Sequence, residues 1–381
     1  MKRRHALLFP MAGGTGIGPL SQLLAVAEAL ELSGWLCTIA CSAQRHRMLS
    51  EEAGFAVRAL PEPAARRVPF VDYRLADVLY FAGVLEVNYL RSTLAVESAL
   101  MRELQPDALV TASHLTAPIT GAIHGVPVLS IAAGPDLARF SSPLYPDDPG
   151  YVRAAAQEMN VVLEGLGLEP VSDPSEFSCQ RSTHRLAPTW PEFDPALASL
   201  DDGRTTFVGP LISYALELRA GPALPAAPMI VVYLNRGSLG PVEELELVTQ
   251  LAGSHPELSI AWVNAAETPP VPNIRSIPWV PMYRWLNHAV LLVSGGGYNS
   301  LLSAVVRGVP SLILPGRSAE RHYNAVQFQA QACGRMTTVR SSKDAAADAL
   351  RGENAQSAMH TRNGCAPRGA AESVDVLASL L

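Results

Sequence analysis

Two doubly wound α/β domains are what this sequence of 381 residues predicts, and three observations carry that expectation. Short apolar runs alternate with longer helical patterns throughout, as parallel strands and crossover helices do. The pattern restarts after an Ala/Pro-rich segment, "LRAGPALPAAP", residues 218–228. Each half also carries glycines at a strand-to-helix turn: Gly13, Gly14, Gly16 and Gly18 in the first, and Gly295, Gly296 and Gly297 in the second.

The length exceeds one ordinary core and suits two domains. A hydrophobic fraction of 48% with 17% charged residues describes a well-buried globular chain. The formal net charge of -6, without a long basic run, argues against a nucleic-acid partner. The five cysteines form no Cys-x-x-Cys pair, so they read as reduced thiols and the expected location is cytoplasmic. "MKRRHALLFPMAGG" has a basic start, but its apolar run is too short for a signal segment and reads as a first strand. No run is apolar for long enough to cross a bilayer.

In the first half, "HALLFPM" reads as a strand, residues 21–33 as a helix, "WLCTIAC" as a strand and "RHRMLSEEAG" as a helix ending at Gly54. "AVRAL" follows, then one long helix near residues 78–104, the strand "DALVTAS", a short helix and "VPVLSIAAG". The long helix is apolar on more than one face, which suits a buried helix or a cleft wall. Residues 136–173 read as a loop-and-helix insert, and "FVGPLI" closes the half at residue 212. Residues 213–228 are expected to be a semi-stiff linker. The second half, 229–365, opens on "MIVVYLNRGSL", apolar as a buried parallel strand is. A helix over 242–254 and the strands "LSIAWVN", "NIRSIPWV", "AVLLVSGGG", "PSLILPG" and "RMTTV" follow, with a C-terminal helix expected at 366–381.

The opening stretch "PMAGGTGIGPLSQLL" admits several readings. The glycines miss the G-x-G-x-x-G spacing of a dinucleotide site, and the next strand ends without an acidic residue. A phosphate loop would need Gly-Lys-Ser/Thr, and no lysine is present. The string is similar to a motif of the ferredoxin reductases, which place it after a flavin domain. A tight packing turn and a substrate-facing loop remain.

The second cluster is more specific. In "LLVSGGGYNSLLSAVVRGVPSLILPGRSAERHYNAVQF" a buried strand runs into three glycines, and Asn299 and Ser300 stand where a helix starts. A helix start of this kind suits a diphosphate. The next strand ends at Pro315, and Glu320, Arg321, His322 and Asn324 lie just beyond it, where open α/β sheets bind ligands.

These stretches resemble the GT-B glycosyltransferases, both the natural-product enzymes and the lipid-linked N-acetylglucosaminyltransferase of peptidoglycan synthesis. The natural-product enzymes carry H-G-G-x-G-S-T-x-E, then G-V-P, then D-Q-x-x-N-A; here "GGGYNSLLS", "GVPSLILP" and "ERHYNA" stand at matching spacing. Gly237-Ser238, "WVPM" from Trp279 to Met282, and Val208-Gly209-Pro210 match three further family positions. The resemblance implies a GT-B fold, two Rossmann-like domains facing a central cleft, with the acceptor in 1–212 and the donor in 229–365. It implies that Trp279 and Val280 hold the nucleotide base. Ser238, Gly296, Gly297, Asn299 and Ser300 would hold the diphosphate. Glu320 and Arg321 would face the donor sugar, with Arg321 alternatively on the diphosphate or a charged sugar. Gly14, Thr15, Gly16 and Gly18 would form the acceptor-side loop.

The departures from the family are as informative. Its phosphate-touching His falls on Gly295, its ribose-binding Glu on Ser303 and its Gln on Met282. Its catalytic His falls on Pro19, and the carboxylate that orients that His falls near Ser113. A base must take the acceptor proton, and His114 is the nearest candidate. The expected activity is inverting, metal-independent transfer of a sugar from UDP or TDP to a small hydrophobic or mixed natural product. No cofactor is expected beyond that nucleotide-sugar co-substrate, and no Asp-x-Asp stands at a strand end. A homodimer is left open. The alternatives are a lipid-linked envelope acceptor, docking through Arg45, Arg47, Arg66 and Arg67, and a non-catalytic homologue that binds a nucleotide sugar.

Overall fold

Strand β1 (His5–Pro10) lies at the middle of the first sheet because every side chain after His5 is buried, which only a strand covered on both faces permits. It pairs in parallel with β2 (Leu36–Cys41), His5 opposite Leu36, and with β4 (Ala108–Ala112), Ala6 opposite Ala108. With β3 (Ala56–Ala59), β5 (Val128–Ile131), β6 (His184–Ala187) and β7 (Thr205–Phe207), the strand order is β3-β2-β1-β4-β5-β6-β7. The chain leaves β1 toward β2 and later returns to its other side at β4. The carboxyl ends of β1 and β4 therefore flank the switch point where doubly wound sheets bind ligands.

The computed structural model describes residues 3–13, 16–66, 74–138, 140, 151–200, 202–218, 228–234, 238–265, 270–278, 282–351 and 368–381. The chain divides into two compact units, Met1–Leu216 with Arg368–Leu381, and Glu217–Pro367.

In the first unit the helices are α1 (Gly18–Leu32), α2 (Gln44–Glu52), α3 (Leu75–Phe81), α4 (Val87–Leu104), α5 (Thr116–His124), α6 (Tyr151–Gly165), α7 (Pro195–Ala198) and α8 (Tyr214–Glu217), the last reaching one residue into the second unit. The single helix expected near 78–104 is two. Gly83, at φ +76°, breaks it, and a Cβ there would stand 2.0 Å from the Ala64 carbonyl oxygen. Strands β6 and β7 extend the sheet beyond the sequence expectation. Fully buried Arg185, in β6, is held by the Asp202 carboxylate and, at 2.9 Å, by Thr205 Oγ1.

The expected linker starts inside the first unit. Glu28 accepts from Ser213 Oγ, from Tyr214 N at 2.8 Å and from Ala215 N at 3.1 Å, which fixes residues 213–215 to α1. The chain's end also returns here. Helix α14 (Gly369–Ser379) packs on α1, and Gly369 lies so close to the carbonyls of Val208, Gly209 and Pro210 that a Cβ would meet them at 2.7–3.1 Å.

The second unit repeats the pattern with β8 (Met229–Tyr233), β9 (Ser259–Val263), β10 (Ile274–Ile277), β11 (Ala289–Ser294), β12 (Ser311–Ile313) and β13 (Arg335–Met336), in the order β10-β9-β8-β11-β12-β13. Alternation along β8 sends Ile230 and Val232 to one core and Met229 and Val231 to the other, so both faces are covered. The helices are α9 (Pro241–Ser254), α10 (Met282–Trp285), α11 (Tyr298–Arg307), α12 (Ala319–Ala330) and α13 (Ser342–Arg351). Here the switch point lies between β8 and β11.

Cys37, Cys41, Cys179 and Cys333 are buried free thiols. Burial pushes the first three up to about 12, so they are protonated. Among the described residues no helix is long and apolar enough to cross a membrane.

Candidate active site

The second unit's switch point assembles three segments distant in sequence. Ser238 follows β8, the glycines follow β11, and α12 follows β12. Gly296 adopts φ +87°, and a Cβ at that position would stand 2.9 Å from the Arg321 carbonyl oxygen. Only glycine permits this approach. Its N–H donates to Ser294 Oγ at 3.1 Å, and its carbonyl accepts from Asn324 Nδ2 at 3.0 Å. Asn324 is 1% exposed, and its Oδ1 has no hydrogen-bond partner.

Helix α11 starts at Gly297, where no side chain caps it and no acidic residue lies in the first turn. A helix start leaves amide N–H groups without intrahelical partners and carries partial positive charge. Asn299 and Ser300 occupy that first turn. Ser318 caps α12, its Oγ accepting from Arg321 N, and so fixes where Arg321 emerges. Arg321 Nη1 donates to Ser238 Oγ at 3.0 Å. A guanidinium, a hydroxyl and a helix start thus share one place, which is a chemistry for an anion. Glu320 is exposed in the same first turn of α12. His322 is neutral there, because burial lowers its pKa.

Of the other family positions, Met282 and Ser303 are buried, Met282 in the core beside Trp285. Gly295 donates its N–H to the Tyr233 carbonyl at 3.2 Å. Gly237, Trp279 and Val280 lie outside the described residues.

At the first unit's switch point, the glycines after β1 have different tasks. Gly13 has φ +68°, and a Cβ there would press on Ala82 at 2.8 Å and Val84 at 2.9 Å, so packing demands it. Gly16 has nothing within 4 Å of where its Cβ would be and faces open space. Its carbonyl is 3.0 Å from Nε2 of buried His46. A carbonyl only accepts, so that nitrogen carries the proton, and burial lowers the imidazole pKa and keeps it neutral. Gly18 and Pro19 form the first turn of α1, where proline's missing N–H costs nothing. Gly14 and Thr15 lie outside the described residues.

The structure turns His114 away from the place expected of a base. Ser113 closes the turn after β4 at φ +57°, and His114 N donates to Thr111 Oγ1 at 3.1 Å. The imidazole then enters the core, 2% exposed, stacked on Phe9 at 5.2 Å. Nε2 donates to Glu97 Oε1 at 2.7 Å, and that fully buried carboxylate also accepts from Thr116 and Thr120, each at 2.5 Å. His114 Nδ1 is buried with no hydrogen-bond partner. This is an internal polar cluster that ties α4 to α5.

The sequence reading missed Asp136. It ends a single 3₁₀ turn (Gly134–Asp136) after β5, and its Oδ1 accepts from Ser113 Oγ at 3.4 Å. Its Oδ2 accepts from Ala133 N at 2.9 Å. Burial pushes its pKa up to about 6, the nearby Asp194 carboxylate adds to that, and the Ala133 and Ser113 donors oppose it.

Two of the basic residues considered for membrane docking are engaged with acids. Arg47 bridges to Glu62 at 3.3 Å. Arg66 bridges to Glu158 at 2.6 Å and covers the Tyr80 ring at 3.9 Å. Arg67 lies outside the described residues.

No family model and no curated protein matches the sequence. Solved structures match the fold along the whole chain. It is similar to the glycotransferase of kitacinnamycin, at 17% identity and TM-score 0.75, covering 100% of each chain. It is similar to Phytolacca americana UGT2 complexed with UDP-2-fluoro-glucose and pterostilbene, at 16% identity and TM-score 0.72, covering 100% of each chain. The glycosyltransferase SsfS6 of Streptomyces sp. SF2575, complexed with thymidine diphosphate, has 16% identity and TM-score 0.67 over 99% of this chain and 100% of that one. The chain has the GT-B fold of natural-product glycosyltransferases.

Proposed function

We propose that the protein is a glycosyltransferase that moves a sugar from a nucleoside diphosphate donor to a small hydrophobic or mixed natural product. The convergence of Ser238, Gly296 and Arg321 at the second unit's switch point carries this reading. The diphosphate lies against the start of α11, with Asn299 and Ser300 in the first turn and the Ser238 hydroxyl and Arg321 beside it. Glu320 accepts from hydroxyls of the donor sugar, and Trp279 and Val280 hold the base. The nucleotide is UDP or TDP, in keeping with the ligands that the solved relatives carry.

Transfer inverts the anomeric carbon and requires no metal. The charge that develops on the leaving diphosphate is met by the helix start and by Arg321. The acceptor binds in the first unit, where Gly16 faces open space. Two observations favour a second reading, a nucleotide-sugar-binding auxiliary protein: Pro19 stands where the resemblance puts the catalytic His, and the His114 ring is buried.

Incubation with UDP-glucose or TDP-glucose and a panel of phenolic and polyketide alcohols separates the two. The transferase reading expects nucleoside diphosphate released in step with glycosylated product. Tight nucleotide binding without turnover would support the auxiliary reading.

A further inference from the structure

Transfer to a hydroxyl needs a group that takes its proton as the bond forms, so the inference below rests on the proposed function. The two positions that would supply the usual pair hold Pro19 and Ser113. His114 is sealed in the core against Glu97. His46 donates its Nε2–H to the Gly16 carbonyl, and Nδ1, the nitrogen that could take a proton, is buried without a hydrogen-bond partner. None of these side chains can receive a proton from a ligand at the first unit's switch point.

The fold brings another carboxylate to that place. Strand β5 is the neighbour of β4, and the 3₁₀ turn after it swings Asp136 back toward the carboxyl end of β4. Its Oδ1 contacts the hydroxyl of Ser113, the residue aligned with the missing carboxylate, across 23 residues of sequence. The side chain is held from both sides, by Ala133 N–H on Oδ2 and Ser113 on Oδ1, while its backbone carbonyl accepts from Ser178 Oγ at 2.7 Å. It is only partly buried, whereas Asp194 beside it is fully buried and committed to Gly134 N at 2.7 Å and to the start of α7. A held carboxylate on a partly buried residue at a switch point is placed to meet a ligand.

We infer that Asp136 is the proton acceptor for the acceptor hydroxyl. The hydroxyl oxygen forms the bond to the sugar's anomeric carbon while its proton passes to an Asp136 carboxylate oxygen. The bond from the anomeric carbon to the phosphate oxygen breaks, and the nucleoside diphosphate leaves with that electron pair. The carboxylic acid then returns its proton to solvent.

The surroundings suit the task. Burial and the charge of Asp194 move the Asp136 carboxyl up to about 6, basic enough to accept a proton and still ionised at neutral pH. The Cys179 thiol nearby is neutral, and the Arg185 guanidinium is engaged by Asp202.

The test uses the full chain with UDP-glucose, TDP-glucose and umbelliferone as a probe acceptor, joined by the alcohol panel above. Asp136→Asn keeps an oxygen for the Ala133 N–H. It should lower turnover at least ~100-fold and leave the affinity for UDP and TDP, bound by the second unit, within about threefold, while scanning calorimetry reports a folded first unit. The wild-type rate should fall below pH about 6, and that limb should be absent from the residual rate of Asp136→Asn. Ser113→Gly, which suits φ +57° and removes one donor, should move the wild-type limb to higher pH. Wild-type transfer with Asp136→Asn keeping more than about a tenth of the rate, or keeping the acid limb, would overturn this assignment and leave the transferase reading intact. No transfer by the wild type with either donor would overturn both.

Discussion

The Arg321 guanidinium donates to the Ser238 hydroxyl at 3.0 Å across 83 residues of sequence, joining the helix after β12 to the loop after β8. Gly295 leaves no side chain at the position to which the sequence resemblance assigns a phosphate-touching His, and Arg321 brings a permanent positive charge to the same switch point. Arg321→Gln should therefore weaken UDP binding more than tenfold, about 1.4 kcal/mol, and weaken UMP binding less. Calorimetric titration of both nucleotides checks this. An equal loss for UDP and UMP would assign Arg321 to the nucleoside monophosphate part or to the architecture, and no loss for either would assign it to the donor sugar.

Gly296 supports that arrangement through its backbone. Its φ of +87° and the 2.9 Å from a Cβ to the Arg321 carbonyl oxygen leave no room for alanine. Gly296→Ala should cost about 1–3 kcal/mol of stability and lower UDP affinity by pushing α12 away. Thermal unfolding with and without UDP measures both, and a variant of wild-type stability and affinity would show that the close approach is not required.

His114 should behave as a core residue. His114→Ala removes the Glu97 partner and the ring stacked on Phe9, and Thr116 and Thr120 still donate to the carboxylate. The expected cost is about 2–4 kcal/mol, seen as a lower denaturant midpoint, with turnover per folded molecule within about tenfold of wild type. A loss of ~100-fold or more in turnover at unchanged stability would return His114 to the chemistry.

Asp136 gives a pH signature of its own. Its folded pKa is raised from 3.8 to about 6, so between those values the native state keeps a proton that the unfolded chain has lost. Stability contributed by this group therefore falls as pH rises from about 4 to about 6. Asn carries no charge, so Asp136→Asn should melt at or above the wild-type temperature near pH 7.5, and the difference should close near pH 4. Scanning calorimetry across that range checks the sign; a lower melting temperature for the variant at neutral pH would mean that the native fold favours the charged form.

Much of this was legible in the residues. The apolar run of β8, the glycines before α11 and the stop at Gly308, which adopts φ +67° at the helix end, declare the second unit's alternation. What stayed hidden depends on contacts between distant segments. Nothing local marks the break at Gly83, which the approach of Ala64 imposes. Strand β6 escapes because Arg185 reads as a surface residue until Asp202 and Thr205 are seen around it. The His114 ring enters the core just after Ser113, at φ +57°, and is held there by Glu97 and Phe9, which are distant in sequence. Asp136 belongs to no motif and acquires its place only when β5 pairs with β4.

The central claim is that the second unit's switch point holds a nucleoside diphosphate. A crystal structure of the protein with UDP or TDP tests it most directly. The account predicts the diphosphate against the first turn of α11, within hydrogen-bond reach of Ser238, Ser300 and Arg321. A nucleotide bound elsewhere, or a diphosphate out of reach of Ser238 and Arg321, would contradict it.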